Sequence, residues 1–185
     1  MPVSGKSGEK YRFNNVYLTG FMASGKTATG RIIADILSWK FIDTDAYIEE
    51  SERMLISDIF DSYGEEVFRK MENNILKRIS SFSECVVALG GGVFVSSENR
   101  DIIRNSGISV ALLWPPEILV KRVGSGKNRP LLKGLNTDQI YKKVKKLLDY
   151  REEFYRMADV CLEFNTEIPV KTVAQQIISS LEKFR

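Results

Sequence analysis

The stretch GFMASGKT, residues 20–27, meets the pattern G-x-x-x-x-G-K-[ST] through Gly20, Gly25, Lys26 and Thr27. The chemistry such a segment supports is the holding of a polyphosphate. Glycines let consecutive backbone N–H groups curl around phosphate oxygens, and the N-terminus of a following helix adds partial positive charge. Lys26 is placed to reach the β- and γ-phosphates, and the Thr27 hydroxyl to ligate Mg²⁺. Ala23, Ser24, Gly25 and Ala28 would complete the phosphate-binding set. A second fragment, SGKSG at 4–8, lacks the earlier glycine and has no strand leading into it, so it is set aside.

The residues that would receive a phosphoryl group lie elsewhere. In FIDTDAYIEE, Asp43 and Asp45 stand two apart at the end of an apolar run. On a strand they would point the same way, toward the phosphate loop. One carboxylate could hold a metal through water and the other could orient an attacking hydroxyl and accept its proton. Equally, both acids could simply cap the next helix. Arg69, in GEEVFRKMEN, falls beside the apolar stripe of its helix, where an arginine is ordinarily a solvated surface residue. Gly90, Gly91 and Gly92 end a core strand that they would weaken, which points to close approach of a ligand to the backbone.

These residues need a scaffold, and the hydrophobic pattern supplies one. Short β-type runs (NVYLTG, KFIDTD, ECVVALGGG, GISVALLW, ADVCLEF) alternate with longer amphipathic segments, which predicts an α/β fold with a doubly wound parallel sheet. A helix is expected over 25–39 with Ile32, Ile33, Ile36 and Leu37 on one face. A last helix after Pro169 should turn Val170, Val173, Ala174, Ile177, Ile178 and Leu181 inward. Residues 46–82 contain no strand candidate, and Phe68, Met71, Ile75 and Ile79 repeat at helical spacing. Residues 1–12 read as a flexible tail, and 13–185 as a single domain.

Composition narrows the function classes. The chain has 185 residues, with 27 basic and 24 acidic side chains and a net charge of +3, too balanced to indicate nucleic acid. The lysines of IYKKVKKLL fall off the stripe of Ile140, Val144, Leu147 and Leu148 and read as a solvated helix face. No histidine is present, which excludes imidazole-based mechanisms. Cys85 and Cys161 lie in apolar runs and are expected to be buried thiols of a reducing compartment. No apolar run suits a membrane span or a secretion signal, so a cytoplasmic protein without membrane partners is expected.

Taken in order, GFMASGKT, FIDTDAYIE, IFDSYGEEVFRKME, VALGGGV, NRPLL and YREEFYRMAD resemble the shikimate kinase family, collinearly from about residue 15 to 180. The resemblance implies a P-loop kinase of the nucleoside monophosphate kinase type. Such a kinase has a five-stranded parallel sheet, a helical substrate-binding insertion (about 46–82) and a mobile lid (about 124–135). It implies ATP-dependent phosphorylation of the 3-hydroxyl of shikimate on the route to chorismate and aromatic amino acids, with Mg²⁺ and, as expected state, a monomer. By the same resemblance Arg69 and Arg151 clamp the substrate carboxylate, Asp45 binds ring hydroxyls and orients the nucleophile, and Asp43 lies near the metal. Gly90, Gly91 and Gly92 would wall the substrate, and Arg129 would be the lid arginine acting beside Lys26 and Asp45. Arg122 would pack on the adenine, with the loop around Pro169 beneath it. Gly124, Gly126 and Gly134 would let the lid move. Ala23 stands where many members have glycine, acceptable if its φ stays negative, and Glu153 stands where proline is usual. The rival expectations are a related small-molecule kinase, such as a gluconate kinase, and a non-catalytic relative that serves as a binding protein.

Overall fold

The computed structural model describes residues 11–124 and 130–185. Five strands form one sheet: β1 (Asn15–Thr19), β2 (Lys40–Asp43), β3 (Cys85–Ala88), β4 (Ile108–Leu113) and β5 (Val160–Glu163). Their order is β2-β3-β1-β4-β5 and every pairing is parallel. All residues of β1, β3 and β4 are buried. That is why their sequences run apolar without alternation, since helices must cover both faces of a parallel sheet. Leu18 of β1 pairs with Ala88 on one side and Val110 on the other. The chain leaves β1 toward one edge and later returns to build the other. The carboxyl end of β1 is therefore the switch point where ligands of such sheets bind.

Helix α1 (Lys26–Leu37) packs on α7 (Val170–Leu181) and β3, while α6 (Thr137–Tyr155) packs on α5 (Pro116–Val123) and β4. Helices α2 (Thr44–Glu52) and α3 (Ile56–Ile79) form the insertion after β2, and α4 (Ser97–Ser106) lies against α3. The insertion carries its own small core of Ile48, Ile59 and Phe68, separate from the main cluster. Helix α3 is broken at Gly64 (φ 78, ψ 172), a conformation in effect restricted to glycine, so its second half starts afresh at Glu65. No helix among the described residues is long and apolar enough to cross a membrane.

Several sequence expectations change in detail. The first helix stops at Leu37 because Ser38 takes a left-handed conformation (φ 58) and its N–H caps Ala34 and Asp35. Ile36 and Val170 are 53% and 40% exposed, not core, because each sits at the margin of a narrower stripe. Cys161 is exposed, since β5 is an edge strand and alternate residues face outward; Cys85, in a central strand, is buried. Helices α4 and α5 were not anticipated. Tyr11 stacks on Phe13 at 4.8 Å and meets Trp39 edge-on, and the Arg12 N–H donates to the Phe184 carbonyl at 3.0 Å. Tyr11 and Arg12, placed by the sequence in the tail, thus pack on the domain; residues 1–10 lie outside the described residues. The four lysines of α6 are exposed, and Ile140, Val144 and Leu148 are buried.

Candidate functional site

The phosphate loop leaves β1 at Gly20 and enters α1 at Gly25. Gly20 has φ 135, and a Cβ there would come within 2.6 Å of the Leu112 carbonyl oxygen, so no other residue fits. Gly25 caps α1 at φ 96. No side chain caps the N-terminal amides of α1 and no acid lies in its first turn, which leaves those amide dipoles to an anion. Lys26 is 9% exposed and donates to the carbonyls of Gly20 (3.0 Å) and Phe21 (2.9 Å), bending over the loop. Ser24 is buried, and its N–H closes the turn onto Phe21. Ala23 has φ 61. The condition set for it, a negative φ, is therefore not met: Ala23 holds a left-handed conformation that costs an L-residue about 1–2 kcal/mol.

Asp43 and Asp45 are not two residues of one strand. Asp43 ends β2 and caps α2, its Oδ1 accepting from the N–H groups of Asp45 (3.1 Å) and Ala46 (3.3 Å). Its other oxygen accepts from the Thr27 hydroxyl at 2.6 Å. Capping and contact with the phosphate loop are thus both true of Asp43. Asp45 belongs to the first turn of α2. The helix, not strand pleating, carries it to the same cavity. That cavity, ≈ 380 Å³, is lined by Ala23, Gly25, Lys26, Thr27, Ala28, Asp43, Asp45, Gly91 and Arg122. Among the described residues no group of three or more acidic or cysteine side chains gathers to hold a metal. Thr27 and Asp43 offer two hard oxygen donors beside the loop, a set that fits Mg²⁺ when phosphate and water supply the rest.

Asp45 also lines a second, smaller cavity of ≈ 80 Å³, together with Arg69, Glu72, Gly91, Gly92 and Arg151. Its apolar side is Met22, Ile56, Phe60, Phe68 and Leu131. A wider groove of ≈ 670 Å³ opens beyond it and shares both arginines. Arg69 is 30% exposed and pairs with Glu65 (2.7 Å) and Glu72 (2.6 Å) on its own helix. Arg151 is buried in α6 and donates to the Gly91 carbonyl at 3.2 Å. The same carbonyl accepts from the Tyr155 hydroxyl at 2.6 Å. Consecutive glycines therefore seat the two guanidinium groups.

The physical reason for the glycine run is clearer in the structure than in the sequence. None of Gly90, Gly91 and Gly92 has positive φ. A Cβ on Gly90 would lie 2.5 Å from Asp45 Oδ1 and 2.9 Å from Glu72 Oε1, and one on Gly92 would lie 2.3 Å from Arg69 Nη1. The close approach is made by the protein's own acid and guanidinium.

Two functional neighbours escaped the sequence reading. Glu72 is 2% exposed; burial pushes its carboxyl up to about 7, against the opposing pull of Arg69. Its position three residues after Arg69 on one helix was the available signal. Tyr155 is fully buried, and burial pushes its phenol up to about 12. Nothing local in the sequence marks its bond to Gly91.

Arg122, at the end of α5, reaches the phosphate-loop cavity with its guanidinium 4.0 Å above the Trp114 ring, and its Nε lies 3.5 Å from Glu167. Pro169 caps α7, and Glu167 is the residue of that loop that meets Arg122. Gly124 (φ 59) and Gly134 (φ 77), near the two ends of the expected lid, both have positive φ. Gly126 and Arg129 lie outside the described residues. Lys133, within the expected lid, pairs with Asp61 of α3 at 2.7 Å.

The shikimate kinase family model matches residues 22–182. The chain is 38% identical over 166 residues to the shikimate kinase of Thermoanaerobacter pseudethanolicus, covering 90% of this chain and 95% of that one. It is 35% identical over 171 residues to the shikimate kinase of Caldanaerobacter subterraneus subsp. tengcongensis, covering 92% and 98%. Among solved structures, the shikimate kinase from Acinetobacter baumannii in complex with shikimate superimposes with a TM-score of 0.87 at 34% identity, over 94% of this chain and 95% of that one.

Proposed function

Since the chain belongs to the shikimate kinase family, we propose that it transfers the γ-phosphoryl group of ATP to the 3-hydroxyl of shikimate, with Mg²⁺ as its metal. The observation that carries this reading is the position of Asp45, which borders both the phosphate-loop cavity and the pocket holding Arg69 and Arg151. A donor site and an acceptor site thus share one carboxylate.

In this reading the loop amides and the α1 terminus bind the phosphates, and Lys26 turns from the Gly20 and Phe21 carbonyls to the β- and γ-oxygens. Thr27 and Asp43 hold Mg²⁺, which supplies neutralising charge when bound. Arg69 and Arg151 fork onto the shikimate carboxylate. The ring lies against Phe60, Phe68 and Met22. Asp45 accepts a hydrogen bond from the 3-hydroxyl and takes its proton as the new O–P bond forms. The bond from phosphorus to the β-bridging oxygen breaks, and its electron pair leaves with ADP. Arg122 packs on the adenine, and Arg129 neutralises charge on the group in transfer.

The test is equilibrium binding of shikimate to the wild-type chain and to Arg151→Leu. Hydrogen bonds to charged partners contribute about 1.5–3 kcal/mol, so affinity should fall roughly 10- to 150-fold. Equal affinity in the two proteins would remove Arg151 from the acceptor site.

A further inference from the structure

Arg122 is held on two sides, and neither holder belongs to the phosphate loop. One face of its guanidinium lies on Trp114 at 4.0 Å. Trp114 in turn stacks on Phe164 at 4.3 Å with planes 18° apart. The edge of the guanidinium meets Glu167 Oε1 at 3.5 Å, and the other carboxylate oxygen of Glu167 accepts from Lys121 at 2.7 Å. Trp114 and Phe164 are 5% and 6% exposed, so the lower part of the stack is fixed by packing. The indole Nε1 of Trp114 is buried and has no hydrogen-bond partner among the described residues. Burying an unpartnered donor is costly. The ring presents its π face, the best of the aromatic faces for holding a guanidinium, to Arg122.

We infer that Trp114 and Glu167 are positioning residues for the nucleobase. They fix Arg122 as the top layer of a Phe164–Trp114–Arg122 stack, on which a purine adds the next layer. This rests on the reading of Arg122 as the base-packing residue and extends it to two side chains without a role there. A free arginine loses rotamer freedom when a ligand orders it, and one already seated between a π face and a carboxylate does not. Removing the seat should weaken binding of the base while leaving the phosphate contacts intact.

The experiment measures equilibrium binding of ADP and of inorganic tripolyphosphate to the full chain, its Trp114→Leu, Trp114→Phe and Glu167→Gln variants, and steady-state kinetics beside it. Expected is a loss of ADP affinity of about five- to tenfold for Trp114→Leu and about two- to threefold for Glu167→Gln. Trp114→Phe should recover most of the loss. Tripolyphosphate affinity should be unchanged in all three. The KM for ATP should rise while kcat and the KM for shikimate stay put. Since Glu167 is exposed, its variant keeps the test valid even if Trp114→Leu fails to fold. The inference is overturned if both Glu167→Gln and Trp114→Phe bind ADP like wild type and Trp114→Leu either does so too or does not fold. It is also overturned if tripolyphosphate affinity drops in parallel with ADP, the mark of a merely structural role. Wild-type chain that fails to bind ADP would overturn both this inference and the kinase reading. Tight ADP binding without turnover of shikimate would strike only the latter.

Discussion

Replacing Gly92 with alanine tests the geometry of the acceptor site through a single methyl group. Gly92 has φ −103 and ψ −16, a conformation alanine adopts freely, so the backbone has no reason to move. The new Cβ would stand 2.3 Å from Arg69 Nη1, 2.7 Å from Cζ and 3.0 Å from Nη2. Ordinary contact begins near 3.4 Å, so the guanidinium must retreat by about 1 Å. It is the far end of a flexible side chain and can do so at small cost to stability. The clamp, however, loses its alignment, and a displacement of this size costs on the order of 10²-fold in a positioned site. Shikimate affinity should therefore drop about 10- to 100-fold, with ADP affinity and melting temperature nearly unchanged. In an Arg69→Ala background the same methyl should add almost nothing, because coupled residues are not additive. Calorimetric titration of the four proteins decides the matter. Shikimate affinity of Gly92→Ala within twofold of wild type would refute the claim that Gly92 exists to seat Arg69.

Three further outcomes are expected. Glu72 titrates near 7 in the folded chain and near 4.5 unfolded, so its carboxyl favours folding while protonated, and that contribution is lost as pH rises from about 4.5 to about 7. Denaturant titrations should thus show Glu72→Gln gaining on wild type across this range by up to about 3 kcal/mol; a pH-independent difference would contradict the buried carboxyl. Ala23→Gly relieves a left-handed alanine (φ 61) at the expense of chain entropy, and a melting temperature higher by about 2 °C is expected; a lower one would mean that the loop is not strained there. Asp45→Asn should bind ATP normally but lose about 10²- to 10⁴-fold in kcat, and near-normal turnover would remove Asp45 from proton transfer.

How far the site was legible follows from the range of each interaction. The phosphate loop was readable because strand, glycines, lysine and helix are contiguous. The acids were found by type, but their geometry was misjudged: Asp43 ends the strand and Asp45 already belongs to the helix. Arg151 and Gly91 were placed together by resemblance alone, and Tyr155 was hidden, since both side chains reach Gly91 across separations of 60 and 64 residues. Glu72 was only half legible: its place three residues after Arg69 suggests the ion pair, but nothing local reveals its burial beside Arg151 as well. Cys161, in a run broken by Asp159 and Glu163, is exposed on an edge strand, while Cys85 begins the unbroken run of a central one. Helix α4 was missed because Ile102 and Ile103 are its only apolar residues and its other buried residue, Asn99, is polar. Its cap, Ser96 accepting from the Asn99 N–H, was legible only afterwards.

The central claim is that the carboxylate bordering both cavities joins ATP to shikimate. The most direct measurement supplies ATP, Mg²⁺ and either shikimate or gluconate to the full chain and follows ADP release and the phosphorylated product. The account predicts turnover with shikimate, product phosphorylated on the 3-hydroxyl, and no comparable turnover with gluconate. Turnover of gluconate without shikimate, or phosphate on another hydroxyl, would contradict it.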